Sequence, residues 1–265
     1  MQRNLLTRVL TGVLWLPVLL FLIHLGGWGY RGFVLLCVVL GAWEWWRFGK
    51  PLAGGGEFAL LIVGTAGVLL CASELNAEHL GLFLALFASV SCLISLRHSD
   101  GRALERIGHL VVGILYVGLL PAFLIRIRAL PIGREALFLA YGAVFICDTC
   151  AYGLGRTLGR HSLWPRISPR KTWEGAAGGL LGALAAAIAG QAWFAGFLDL
   201  ASALGFGLIV GTLGQMGDLV ESLWKREAGV KDSSRLIPGH GGVLDRFDNI
   251  HFIAPILYTY LILVS

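Results

Sequence analysis

Nine mainly apolar runs follow one another along the chain, at roughly 8–28, 32–48, 58–74, 78–96, 108–127, 135–155, 175–196, 200–222 and 249–265. A stretch of about 17–25 apolar residues is the length an α-helix needs to cross bilayer hydrocarbon. The expectation is therefore an all-α, polytopic membrane helical bundle of about nine transmembrane helices. Composition agrees, with 57% of the 265 residues hydrophobic and only 14% charged, against about 45–50% and about 25% in soluble domains. The 37 glycines lie mostly within the apolar runs, where small residues let transmembrane helices approach closely.

The formal charge of +5 is a topology signal. With the N-terminus in the cytoplasm, only Arg31, Arg126, Arg128 and Arg134 fall outside, and every other lysine and arginine falls inside. The positive-inside rule selects that orientation. A nucleic-acid partner is not expected, because there is neither a separate basic domain nor a platform of interleaved basic and aromatic residues. Arg3 and Arg8 before the first run resemble a signal peptide, but no small-residue cleavage site follows and further spans do, so this span reads as retained. Cys37, Cys71, Cys92, Cys147 and Cys150 all fall within spans, which argues against a disulfide framework. Cys147 and Cys150 share a helix face; no second pair completes a zinc site, so they read as small packing residues.

The simplest division is one integral membrane domain, 1–265, with an apolar scaffold over 1–134 and a catalytic half over 135–265. In the scaffold Glu44 stands out, set in Trp43-Glu44-Trp45-Trp46, whose tryptophans read as an aromatic belt at the membrane surface. The catalytic half holds two polar cytoplasmic loops, 156–174 and 223–248, with ten of the 21 basic residues. Each loop is entered from a span carrying a carboxylate, Asp148 or Asp218, and ionisable groups at such depth are costly and usually functional.

Asp218, Ser222, Lys225 and Arg226 recur at helical spacing, presenting a carboxylate, a hydroxyl and cations on one face. Beyond them come Lys231, Asp232, Ser234, Gly239, His240, Gly241, Gly242, Asp245, Arg246 and Asp248. The glycines permit conformations that aim several N–H groups at one anion, and Asp245 offers a hard oxygen ligand, so the segment reads as a phosphate and Mg²⁺ site. In the other loop Ser168-Pro169-Arg170-Lys171-Thr172 precedes a span, with Thr172 as its N-cap and Glu174 in its first turn. Arg170, Lys171 and free helix amides would then converge on a phosphate.

The stretch from Ser222 to Asp248 resembles the signature of the phosphatidate cytidylyltransferases, also called CDP-diacylglycerol synthases. The likeness runs through Ser222, Lys225-Arg226, Lys231-Asp232, Ser234, Ile237-Pro238, His240-Gly241-Gly242 and Asp245-Arg246-Phe247-Asp248. Asp148-Thr149-Cys150-Ala151-Tyr152 with Gly155-Arg156, and Ser168 to Thr172 with Glu174-Gly175, are similar to two further polar stretches of that family. Trp224 departs from the family's usual aliphatic residue and Arg170 from an expected lysine, which touches helix packing and substrate geometry but removes no carboxylate. The resemblance implies CTP and phosphatidate as substrates, CDP-diacylglycerol and pyrophosphate as products, and a divalent metal.

On that reading Asp218 and Asp245 hold Mg²⁺, and Lys225, Arg226, Lys231 and Arg246 neutralise phosphates. His240 donates to a phosphate or shapes the loop, while Asp148, Asp232 and Asp248 position basic residues or a second cation. Arg156, Ser168, Arg170, Lys171, Thr172, Glu174, Ser222, Ser234, Gly241 and Gly242 would contact substrate. The expected setting is the lipid bilayer of a bacterial cytoplasmic (inner) membrane, with the site facing the cytoplasm. The glycine-rich seventh and eighth spans could pack within one chain or form a homodimer. Rival readings are a CTP-dependent polyprenol or phytol kinase, and an ion-coupled transporter using Asp148, Asp218 and Glu221. The transporter predicts polar residues spread through membrane depth, whereas these gather at the cytoplasmic end.

Overall fold

The computed structural model describes residues 15–49, 54–74, 77–98, 100–237, 239 and 241–264. Among them the helices are α1 (Trp15–Leu25), α2 (Gly27–Phe48), α3 (Gly55–Glu74), α4 (Ala77–Ser95), α5 (Ala103–Ala129), α6 (Gly133–Leu158), α7 (Trp173–Trp193), α8 (Leu200–Glu227) and α9 (Leu244–Val264). Seven described helices, α3 to α9, are long and apolar enough to cross a membrane. Large apolar side chains such as Val63, Leu86, Leu93, Phe145, Leu181 and Leu263 stand exposed on them, which suits lipid rather than water.

The chain is not wholly helical. Within the polar segment after α6, β1 (Ser162–Trp164) pairs antiparallel with β2 (Ser168–Thr172). The register sets Ser162 opposite Thr172 and Trp164 opposite Ser168, with an irregularity between. Proline supplies the reason: Pro165 opens the connecting turn and Pro169 lies in β2, and a residue without an N–H breaks a helix but is tolerated in an edge strand.

Two helices change pitch midway. Ile114–Leu119 in α5 and Val210–Gly214 in α8 wind as π-helix, a form that frequently marks functional sites. In α8 the wide turn comes just before Gln215 and Asp218. Gln215 Nε2 donates to the Gly211 carbonyl at 2.5 Å and to the Ala176 carbonyl of α7 at 3.0 Å.

Close contacts divide the chain into two units. One runs to Arg126 and takes in Asp232–Arg246; the other is Ile127–Lys231 with Phe247 onward. In the first unit Tyr30, Val38, Leu61, Leu69, Leu110 and Ile114 are among the core residues. Trp45, expected in a surface belt, is buried there instead. Its ring stacks on His109 with centroids 5.4 Å apart, and its Nε1 donates to the His109 carbonyl at 2.9 Å. Buried Arg106 reaches Asp100 at 2.8 Å and Glu57 at 3.7 Å, tying α5 to its preceding turn and to α3.

The second unit is built on close approach of α6 and α7. A Cβ on Gly179 would meet Cys147 Sγ at 3.1 Å, and one on Gly182 would meet Cys150 Sγ at 2.7 Å. Both cysteines are free thiols, and their packing against glycine accounts for their spacing. Gly207 and Gly211 of α8 likewise lie against Leu184 and Leu180 of α7. These glycines serve helix packing within one chain.

Candidate active site

A cavity of about 550 Å³ opens in the second unit, within the range of about 300–1,000 Å³ usual for small-molecule sites. Asp148, Tyr152 and Arg156 enter it from α6, Arg170, Lys171 and Thr172 from β2, and Gln215 and Asp218 from α8. The hairpin is what brings the cations in: β2 ends directly at α7, so the strand carrying Arg170 and Lys171 is fixed by the cap. Thr172 Oγ1 accepts from the Gly175 N–H at 3.1 Å, as the spacing predicts. Glu174 turns away from the cavity. Its carboxylate takes the His161 ring nitrogen at 2.6 Å and the Arg160 and His161 amides at 3.1 and 3.3 Å, bracing the hairpin's entry.

Two of the lining residues form an ion pair: Lys171 Nζ lies 2.6 Å from Asp218 Oδ2, both side chains about 30% exposed or less. The other Asp218 oxygen accepts from Ser222 Oγ at 3.2 Å, one turn on. Further along α8 buried Lys225 pairs with buried Glu221 at 3.2 Å. Exposed Arg226 donates to the carbonyls of Ile167 and Val230, bracketing the hairpin turn and the end of its own helix. Lys225 and Arg226 thus hold structural partners, whereas Lys171 and Arg170 face the cavity.

From α9, Asp248 is buried and in electrostatic range of Glu221, Asp218 and Lys225. The next residue, Asn249, was not singled out by sequence reasoning. Its Nδ2 donates to both carboxylate oxygens of Asp148, at 3.0 and 3.1 Å, and so orients that acid at the cavity. The only hint in the sequence is its place beside Asp248.

Of the remaining signature residues, Lys231 belongs to the second unit and those described between Asp232 and Arg246 belong to the first. Ile237 N–H bonds the Gly241 carbonyl at 2.9 Å, closing a tight turn, and Gly241 takes φ of 90°, open to glycine. Asp245 Oδ2 accepts from the Ser233 and Gly242 N–H groups at 2.9 and 2.8 Å, and the Ser233 hydroxyl, whose one proton can serve Asp245 or Glu44, lies 2.8 Å away. The amides of Val243 and Leu244 and the hydroxyls of Ser233 and Ser234 all point at Glu44. The loop amides expected to cradle a substrate anion are therefore aimed, at Gly242, Val243 and Leu244, at the protein's own carboxylates. Lys231, Asp232 and Arg246 are exposed, and His240 lies outside the described residues. Asp218 belongs to the second unit and Asp245 to the first.

Among the described residues no three His, Cys, Asp or Glu side chains converge as a metal cage. Mg²⁺ dehydrates reluctantly and is usually held by one or two carboxylates together with substrate phosphates, without a cage of protein ligands. A carboxylate facing a cavity beside cations, as Asp218 does, fits that mode.

The sequence matches the family described as "Cytidylyltransferase family" over residues 6–264. A Bacillus subtilis protein named phosphatidate cytidylyltransferase is 35% identical over 272 residues, covering 97% of this chain and 98% of its own length. A Synechocystis protein of the same name is 30% identical over 289 residues, covering 97% and 96%. A Staphylococcus aureus protein, again of that name, is 44% identical over 153 residues, 57% of this chain. Matched by the family and by relatives along nearly its whole length, this chain belongs to the cytidylyltransferase family.

Proposed function

We propose that the protein transfers the cytidylyl group of CTP to phosphatidate, giving CDP-diacylglycerol and pyrophosphate for phospholipid synthesis. The observation that carries this reading is end-to-end similarity to two proteins named phosphatidate cytidylyltransferase. The cavity supplies the chemistry. Phosphatidate brings its own nucleophile: a phosphate oxygen attacks the α-phosphorus of CTP, the new P–O bond forms, and the bond to pyrophosphate breaks in line. No covalent enzyme intermediate is needed.

The protein's task is to hold two polyanions together. Arg156, Arg170 and Lys171 line the cavity and draw phosphates to it, and Lys171 exchanges its Asp218 partner for a phosphate oxygen. Asp148, oriented by Asn249, keeps the neighbouring cations in place. Asp218 and, on the strength of the sequence signature, Asp245 are the proposed Mg²⁺ ligands; when bound the ion offsets charge on the CTP phosphates and on departing pyrophosphate. The nine apolar runs support nine crossings, and the distribution of basic residues supports a cytoplasmic N-terminus and a cytoplasmic site in a bacterial inner membrane.

The test is to incubate detergent-purified protein with CTP, phosphatidate and Mg²⁺ and follow pyrophosphate and lipid product. Metal-dependent CDP-diacylglycerol formation is expected. Release of CDP with phosphorylation of a prenol would replace this reading with a kinase.

A further inference from the structure

We propose that Glu44, in the helix read from sequence as scaffold, is a positioning residue for cytidylyl transfer: it clamps Ser233 and Ser234 of the signature segment together with Val243 and Leu244. This rests on the reading above, since that segment leads into Asp245 and Arg246. Glu44 is fully buried near the end of α2. Oε1 accepts from Ser234 Oγ at 2.5 Å and Val243 N–H at 2.8 Å, and Oε2 from Leu244 N–H at 2.8 Å with Ser233 Oγ 3.0 Å away, its one proton serving either Glu44 or Asp245. A buried carboxylate needs such donors to offset its lost hydration. Here all four come from one segment, at both ends of the glycine turn.

A second carboxylate is tied to the same clamp. Ser233 Oγ lies within hydrogen-bond distance of Glu44 and, at 2.8 Å, of Asp245 Oδ2, so the position of Asp245 is referred back to Glu44 through one side chain. Gly242 fills the space between: a Cβ there would overlap the Ser233 hydroxyl and the Glu44 carboxylate. The segment is therefore shaped around this acid.

Glutamine is nearly isosteric but cannot replace it. Each Glu44 oxygen receives one hydroxyl, which can reverse its proton, and one backbone N–H, which cannot. Whichever way a glutamine amide turned, its NH₂ would face a buried N–H. Glu44→Gln should then release the segment while leaving α2 packed.

Wild type and Glu44→Gln, purified in detergent, would be compared by hydrogen–deuterium exchange and by kinetics. Expected are at least tenfold faster exchange in peptides covering 232–245, exchange in α3 to α5 within threefold of wild type, and kcat lowered at least 100-fold with a raised KM for CTP. Unchanged exchange in 232–245, or fast exchange with kcat and KM intact, would overturn the proposal, as would activity lost only in proportion to folded protein with KM unchanged. Should Glu44→Gln not fold, Ser234→Ala removes one donor from the loop side. It is expected to speed exchange in the same peptides and lower kcat about tenfold, and wild-type values of both would overturn the clamp. Wild-type protein that makes no CDP-diacylglycerol would instead sink the reaction reading, while exchange still decides the clamp.

Discussion

Lys171 and Asp218 meet at 2.6 Å on a cavity wall, and on the proposed function this charge-balanced pair is opened by an incoming phosphate. Asp218→Asn keeps the side chain's shape and its contact with Ser222 but removes the charge. Pyrophosphate release should fall at least ~100-fold, the scale of losing a preorganised electrostatic group, with an unchanged size-exclusion profile; near-wild-type turnover would remove Asp218 from the site. Asn249 is a quieter case. Its amide holds both oxygens of Asp148, so Asn249→Ala should lower kcat/KM about tenfold, equivalent to about 1.4 kcal/mol of transition-state stabilisation, and Asn249→Asp, which sets two carboxylates together, should lower it further. Equal, wild-type-like rates for both would show that the clamp on Asp148 is irrelevant to turnover.

At the scale of elements, the hairpin and the start of α7 behave as one device. Thr172 ends β2 and caps α7, so the two cations just before it inherit the helix's rigidity. Thr172→Ala should cost about 1 kcal/mol of stability, seen as a lower melting temperature in detergent, and should also raise KM for CTP because Arg170 and Lys171 lose their anchor. A lowered melting temperature with unchanged KM would leave the cap structural only. This cap was legible in the sequence because capping is local, a hydroxyl and an amide three residues apart. The strands were not, because β1 and β2 are short, polar and lack the apolar alternation that marks a strand, and their pairing shows only in the fold. Nor was the role of Glu44 legible: its partners lie 189–200 positions away, and its tryptophan neighbours gave a surface reading that the burial of Trp45 reverses.

For the whole molecule, the proposed topology, argued from the asymmetry of lysine and arginine, has the hairpin on the cytoplasmic side. Arg166→Cys, in the exposed turn between β1 and β2, should react with a membrane-impermeant maleimide in inside-out vesicles and not in sealed right-side-out ones; the reverse pattern would invert the topology. Chelation with EDTA should abolish CDP-diacylglycerol formation by the intact protein, and added Mg²⁺ should restore it, while turnover that survives EDTA would separate the reaction from divalent metal.

Helices along the chain follow from the sequence by itself, because bilayer hydrocarbon offers no water to the backbone and each apolar run of sufficient length must bond internally. The family signature and the cap of α7 are equally matters of local order in the chain. Tertiary structure alone decided which charges meet: that Lys171 faces Asp218, that Asn249 holds Asp148, and that the amides after the glycine turn close on Glu44 rather than stand open. Such pairings depend on the paths of helices far apart in sequence, and the free energy of burying a polar group is settled by whichever partner folding brings within about 3 Å.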